Sequence, residues 1–303
     1  MRVIVSTSNL KALANVIRLK SGKSDLMTLD SMPRRIRLLP GRISNTIEVS
    51  DLCQGTGVNH VPYATNVKLR AMPLLKTTGM TDMSSMFKNL NSVDTITAQS
   101  ADYLIDVSTL NTASVTDMSS MFEGAKGNIE GIHRWDTSNV TNMSAMFKNF
   151  THYSTDPSRP KNVDLDNLDV SSVTDFSYMF YAVKFPIVST PLQKYYLDLN
   201  NFDTSSATTM EGMFQNFDAY DIPSSDYYGI YLWVPSTFIA TQISTDNLKP
   251  FYYSPDTSAG SGSKLHVYTD ATDAVTQGWG TIHSGFDMHY NSTHSGFLAL
   301  VNS

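Results

Sequence analysis

Histidines, the lone cysteine and clustered carboxylates are the side chains with which this chain could do chemistry, and their spacing supplies no catalytic constellation. Of seven histidines, His283, His289 and His294 lie close in sequence, but no spacing among them matches a metal-site pattern. Asp164, Asp166 and Asp169 could suggest calcium. Two of them alternate along a predicted strand and Asp169 falls in a turn, so structural duty is the better reading. Cys53 is alone, which excludes an intramolecular disulfide, and it reads as a small apolar residue near the first strand. Cys53-Gln54-Gly55-Thr56-Gly57 lacks the lysine and following helix of a phosphate loop. Carboxylates are plentiful, yet nothing sets a pair at a glycosidase separation. The sequons at Asn139, Asn142, Asn149 and Asn291 are incidental. The expectation is no catalytic residue, no metal and no cofactor.

Aromatic side chains remain. Tyr227, Tyr228, Tyr231, Trp233 and the run Phe251-Tyr252-Tyr253 gather toward the C-terminus beside Asp and Asn, a mixture that suits sugar stacking or a protein interface. Strand packing accounts for part of this group. Tyr252 and Tyr253, in a loop between Pro250 and Pro255, together with Tyr227 and Tyr228, are the candidate ligand contacts.

The elements that must position these residues are repeats. One phrase closes on Phe87, Phe122, Phe147, Phe180 and Phe214, preceded in each copy by a methionine: Met86, Met121, Met146, Met179 and Met213. Three residues earlier stand Met83, Met118, Met143, Phe176 and Met210, and three earlier again Met80, Val115, Val140, Val173 and Ala207. Apolar residues at a spacing of three fall on one side of a short helical turn. The threonine column Thr81, Thr116, Thr141, Thr174 and Thr208 is placed to cap that turn through its hydroxyl.

Upstream, Leu75, Leu110, Trp135, Leu168 and Phe202 form another apolar column, and Met72, Val107, Ile132, Leu165 and Leu199 a further one. Tyr103–Val107, Val163–Leu165 and Tyr196–Leu199 alternate apolar with polar residues, the period of a half-buried strand. A repeat is thus a strand, a turn and a capped helical turn. Such a unit cannot bury its own apolar face, so copies must stack into a parallel strand ladder around Met and Phe. The smallest unit has about 25 residues, and the extra residues of longer units, such as 148–162 and 181–194, fall between the phenylalanine and the next strand. Loops inserted there would build one surface.

Trp135-Asp136-Thr137-Ser138-Asn139-Val140-Thr141-Asn142-Met143-Ser144-Ala145-Met146-Phe147 resembles the repeat of BspA-like leucine-rich surface proteins, the mycoplasma-type lipoprotein repeat. Other copies drift: Lys76 and Asn111 replace the aspartate, Val170 the threonine and Glu211 the small polar residue, while the apolar columns persist over roughly residues 67 to 215. The resemblance implies a leucine-rich-repeat-like solenoid used for adhesion or recognition. Residues 225–303 read as the last repeats and a C-terminal cap: Ile230–Pro235 has strand character, and Lys264–Tyr268 followed by Ala271, Ala274 and Gly278-Trp279 resembles a closing unit. Ser254–Ser263 reads as a flexible loop.

The N-terminus differs. Leu10–Lys20 is amphipathic, a short helix capped by Ser8 or Asn9. With the following Ser21–Pro33 it resembles, over residues 8 to 40, a module near the start of tail and fibre proteins in phages of Gram-positive hosts. The alternative is a helical cap for the first repeat. The expected organisation is therefore 1–50 as an N-terminal helical attachment module, 51–224 as repeats and 225–303 as last repeats and cap.

A net charge of −6 with charged residues at only 17% argues against nucleic acid as the main partner. Arg34, Arg35, Arg37 and Arg42 form the one dense basic stretch, beside the N-terminal module. The apolar run Val3-Ile4-Val5 is too short for an export signal, and no stretch could span a bilayer. These features lead to a virion location, assembled in the host cytoplasm, with a bacterial cell surface as the alternative. The function expected is that of a phage tail-tip or fibre protein that binds a host-surface glycan or protein and attaches to virion proteins through its N-terminal module. A virion decoration or head-fibre protein, a cellular adhesin and a glycan-degrading enzyme are the other readings. The fibre analogy implies a homo-oligomer, a trimer in particular; no sustained heptads indicate a coiled coil.

Overall fold

A computed structural model describes residues 77–90, 104–152, 163–184, 195–217, 230–255 and 265–302. The expected helix at Leu10–Lys20, the arginine stretch, Cys53, Tyr227, Tyr228 and most of the inserted loops lie outside these residues.

Alternating apolar and polar residues form the expected short parallel strands. Strand β1 (Leu104–Asp106) pairs with β2 (Lys126–Glu130), which pairs with β3 (Thr151–His152). A second parallel sheet runs in the order β4 (Tyr195–Asp198), β5 (Ile230–Trp233), β6 (Leu265–Tyr268) and β7 (Phe286–His289). Val163–Leu165 keeps the buried-exposed alternation of a strand without entering a ladder. One helix, α1 (His294–Val301), closes the described chain, with Thr293 Oγ1 accepting a hydrogen bond from the Gly296 N–H.

The apolar columns point inward. Met86, Met121, Met146, Met179 and Met213 and all five closing phenylalanines are buried, as are Leu110, Trp135, Leu168 and Phe202 one column away. The phenylalanines stack face to face from repeat to repeat: Phe87–Phe122 at 5.3 Å, Phe122–Phe147 at 5.5 Å, Phe147–Phe180 at 5.6 Å and Phe180–Phe214 at 5.9 Å. Phe251 extends the spine at 5.5 Å from Phe214; it is fully buried, which corrects its grouping with aromatics suited to sugar stacking or an interface. Beyond it the stacking ends, because Phe286 and Trp279 meet Phe251 edge-on. Offset-stacked and edge-on rings each place positive ring edge against negative face, so the spine adds directional preference to burial.

The helical turn is corrected. Through the phrase, alternate N–H groups serve different partners: Met146, Lys148 and Phe150 donate to carbonyls three residues back, while Met143, Ala145, Phe147 and Asn149 donate to the next repeat. This is a run of β-turns, in which a spacing of three also aligns side chains. Two left-handed residues per repeat reverse the chain, Ser85 and Asn89, Ser120 and Gly124, Ala145 and Asn149, Tyr178 and Ala182, and Gly212 and Asn216.

The turns are capped by the column after the threonines, Asx in four copies and Thr209 in the fifth, and not by the threonine column itself. The side-chain Oδ1 atoms of Asp82, Asp117, Asn142 and Asp175 accept from the N–H two residues on. Each threonine instead reaches across repeats: Thr116 Oγ1 donates to the Thr81 carbonyl at 3.1 Å, and Thr141, Thr174 and Thr208 continue the ladder at 3.2, 3.1 and 3.0 Å. Asp136, Asp169 and Asp203 make the same Asx turn in the preceding loop.

Candidate recognition edge

The turns on either side of each Met-Phe pair form an edge along the repeats, and their side chains line up because the backbone ladder holds consecutive copies in register. Lys88 and Glu123 pair across two repeats at 2.8 Å. Burial alone would raise the Glu123 carboxyl; hydrogen bonds from Lys88 and Ser120, with the charges of Lys88 and Lys148, outweigh it and hold the group below its ordinary range. The next repeat contributes Lys148, whose Nζ sits 5.3 Å from the Tyr178 ring and 5.2 Å from the Tyr181 ring. The two tyrosines meet edge to face at 5.8 Å. Tyr178 donates its hydroxyl to Glu211 Oε1 at 2.8 Å, and Asn216 Nδ2 donates to the Tyr181 oxygen at 2.9 Å.

Glu211 holds the Tyr178 phenol in its neutral form. Hydrogen bonding to that carboxylate pushes the phenol up to about 12, with smaller contributions from burial and from the neighbouring Tyr253 and Tyr181. Asn216, whose side chain binds Tyr181, donates its backbone N–H to the Ser254 carbonyl at 3.0 Å, which brings the Tyr252-Tyr253 segment to this edge, where Tyr252, 37% exposed, meets Tyr253 edge-on at 5.1 Å. Of the four expected ligand contacts, Tyr252 and Tyr253 thus lie on the edge that carries Tyr181.

Tyr178 is conformationally unusual. It occupies the left-handed slot with φ 58°, where the other repeats carry Ser85, Ser120, Ala145 and Gly212 at nearly the same angle. A bulky side chain there costs about 1–2 kcal/mol, and strain of this kind persists where surrounding structure or function holds it. Its ring lies over the next repeat: a Cβ at Gly212 would stand 2.6 Å from Tyr178 Cε1. Sequence reasoning passed over Tyr178 and Tyr181. The signal was present, since two tyrosines interrupt columns of Ser, Ala, Gly, Lys and Glu.

The remaining aromatic candidates are structural. Trp233 is buried against Phe297 of α1, and Tyr231 stacks on His266. Asp164 and Asp169 cap turns through Oδ1, accepting from the N–H groups of Asp166 and Ser171. Burial and the nearby charges of Asp198 and Asp164 raise the Asp166 carboxyl, while Asp198 pairs with His294 at 2.7 Å. His283 Nδ1 accepts from the Gly285 N–H. His289 stands differently: with His266 and Asp287 it forms a compact group on the outer face of β6 and β7. Its three members come from two strands, so no linear spacing displayed them.

Among the described residues no helix is long and apolar enough to cross a membrane. No curated protein and no solved structure matches this chain. Residues 81–223 match the family model described as "Mycoplasma protein of unknown function, DUF285", which is consistent with the BspA-like surface repeat that the phrase resembles and does not reach the phage-like segment at 8 to 40.

Proposed function

We propose that this protein acts by binding, as a surface-recognition or adhesion protein whose repeats form a leucine-rich-repeat-like solenoid and whose tyrosine edge contacts a glycan or protein on a cell surface. The observation that carries the reading is Tyr178, an aromatic residue in a left-handed slot, displayed beside Tyr181 and Lys148 on a hydrogen-bonded backbone. Edge-to-face rings flanked by an ammonium, a carboxylate and an amide offer apolar faces with polar groups at their rims, the chemistry that sugar rings and interface anchors share. Rigid backbone beneath them lowers the entropy cost of binding.

The match to a mycoplasma-type family supports a bacterial surface setting. A virion setting is the second reading, supported by the resemblance of residues 8 to 40 to phage tail modules; there the N-terminal segment would attach to the particle, as a homo-oligomer, and the same edge would meet the host. The full-length chain should sediment with intact candidate cells and lose that association when wall polysaccharide is removed. Binding that survives removal would redirect the reading to a protein receptor, and absence of binding to every candidate surface would overturn it.

A further inference from the structure

In β6 and β7, Leu265, Val267, Phe286 and Met288 pack into the core, which turns His266, Tyr268, Asp287 and His289 to the other face. His266 pairs in register with Asp287, and His289 follows two residues later on the same face. His266 Nδ1 lies 3.0 Å from Asp287 Oδ2, His289 Nε2 lies 3.3 Å from that same oxygen, and the two nitrogens are 3.3 Å apart. We propose that His266, Asp287 and His289 form a three-ligand site for a divalent transition-metal ion, with zinc the best fit.

A tetrahedral zinc ion with bonds of about 2.0–2.1 Å sets its ligand atoms about 3.3–3.5 Å apart. The three separations nearly form that triangle already, and coordination asks only that the group open by a few tenths of an ångström. Two imidazoles and one carboxylate are a donor set that zinc accepts readily and that magnesium and calcium, which prefer all-oxygen shells, do not. The rings are held in place: Tyr231 stacks on His266 at 5.5 Å and Tyr268 on His289 at 4.2 Å. The end of β7 is fixed as well, since the His289 carbonyl accepts from the Thr269 N–H and from Ser292 Oγ. Orienting contacts of this sort raise metal affinity by limiting what the ligands lose on binding.

The side chains are 31%, 40% and 35% exposed for His266, Asp287 and His289, so the fourth position faces solvent. Water, or a carboxylate or imidazole of a bound molecule, would complete the shell. The ion would also staple β6 to β7, the last strand pair of the sheet.

The test uses the full-length chain, stripped with chelator and titrated with ZnCl2 by calorimetry, with Co2+ absorption as a report on geometry. One zinc per chain, a tetrahedral cobalt spectrum and a zinc-dependent rise in Tm are expected. Asp287→Asn and His266→Gln should each weaken zinc binding at least tenfold and abolish the Tm rise, with circular dichroism unchanged. His294→Gln, which alters a histidine outside the group, should bind zinc as the parent does. Failure to bind micromolar zinc, unchanged affinity in Asp287→Asn and His266→Gln, or a preference for magnesium or calcium would each overturn the assignment.

Discussion

Replacing Gly212 with alanine should be destabilising for a reason that a second substitution can remove. The added Cβ would stand 2.6 Å from Cε1 and 2.7 Å from Cδ1 of Tyr178, closer than such atoms approach, and it would occupy a backbone with φ 59°. Left-handed strain of about 1–2 kcal/mol is partly offset by roughly 0.4–1 kcal/mol from the stiffer unfolded chain. Displacing a packed ring adds about 1–3 kcal/mol. Gly212→Ala should therefore cost about 2–3 kcal/mol in urea unfolding of the full chain. In a Tyr178→Gly background the ring is absent and only the backbone share remains, about 0–1.6 kcal/mol. The double-mutant cycle should thus show a coupling of at least about 1 kcal/mol. Equal cost in both backgrounds would refute the claim that the Tyr178 ring is seated on the next repeat.

Three further outcomes follow from the same packing. His152 is buried, and desolvation pushes its imidazole from the ordinary 6.5 to about 4. The ring is neutral in both states well above pH 6.5; as pH falls through 6.5 toward 4 the unfolded chain takes up the proton first, so stability declines by roughly 3 kcal/mol relative to His152→Leu, whose own pH profile should lack this component. Phe147 is sandwiched between Phe122 and Phe180 at 5.5 and 5.6 Å, and Phe147→Ala should cost about 3–5 kcal/mol in denaturant unfolding, with Phe147→Leu costing less. A Phe147→Ala loss below about 1.5 kcal/mol would contradict a continuous ring spine. Glu211→Gln removes the carboxylate that stabilises the neutral Tyr178 phenol and pushes it up to about 12, so tyrosinate absorbance should show one group ionising at lower pH in the variant than in the parent.

Much of the fold was legible because burial writes itself into columns. Met143, Met146 and Phe147 recur with their counterparts at fixed offsets, and the alternation at Tyr196–Leu199 announced β4. The turn type was not legible, since a period of three fits a helical turn and a run of β-turns equally; the residues that decide it, such as Ser120 and Ala145 at positive φ, do not advertise that conformation. The threonine column was found, but its partner is the neighbouring repeat, a contact invisible to local sequence. Phe251 was hidden because the phrase around it has lost its methionines, although its ring occupies the same column. Tyr252 and Tyr253 were singled out by their loop setting. Tyr178 and Tyr181 come to the same edge only through the fold, where Asn216 binds both the Tyr181 oxygen and the Ser254 carbonyl, and the His266, Asp287 and His289 group forms only through strand register.

The most direct test of recognition through the tyrosine edge compares cell-surface binding of the full chain with that of a Tyr178→Gly, Tyr252→Ala, Tyr253→Ala variant and of Val275→Ser, a change at a residue 89% exposed elsewhere on the surface. The expected result is binding reduced at least tenfold in the triple variant, with its circular dichroism intact and Val275→Ser unaffected. Undiminished binding by a folded triple variant would show that another surface recognises the ligand.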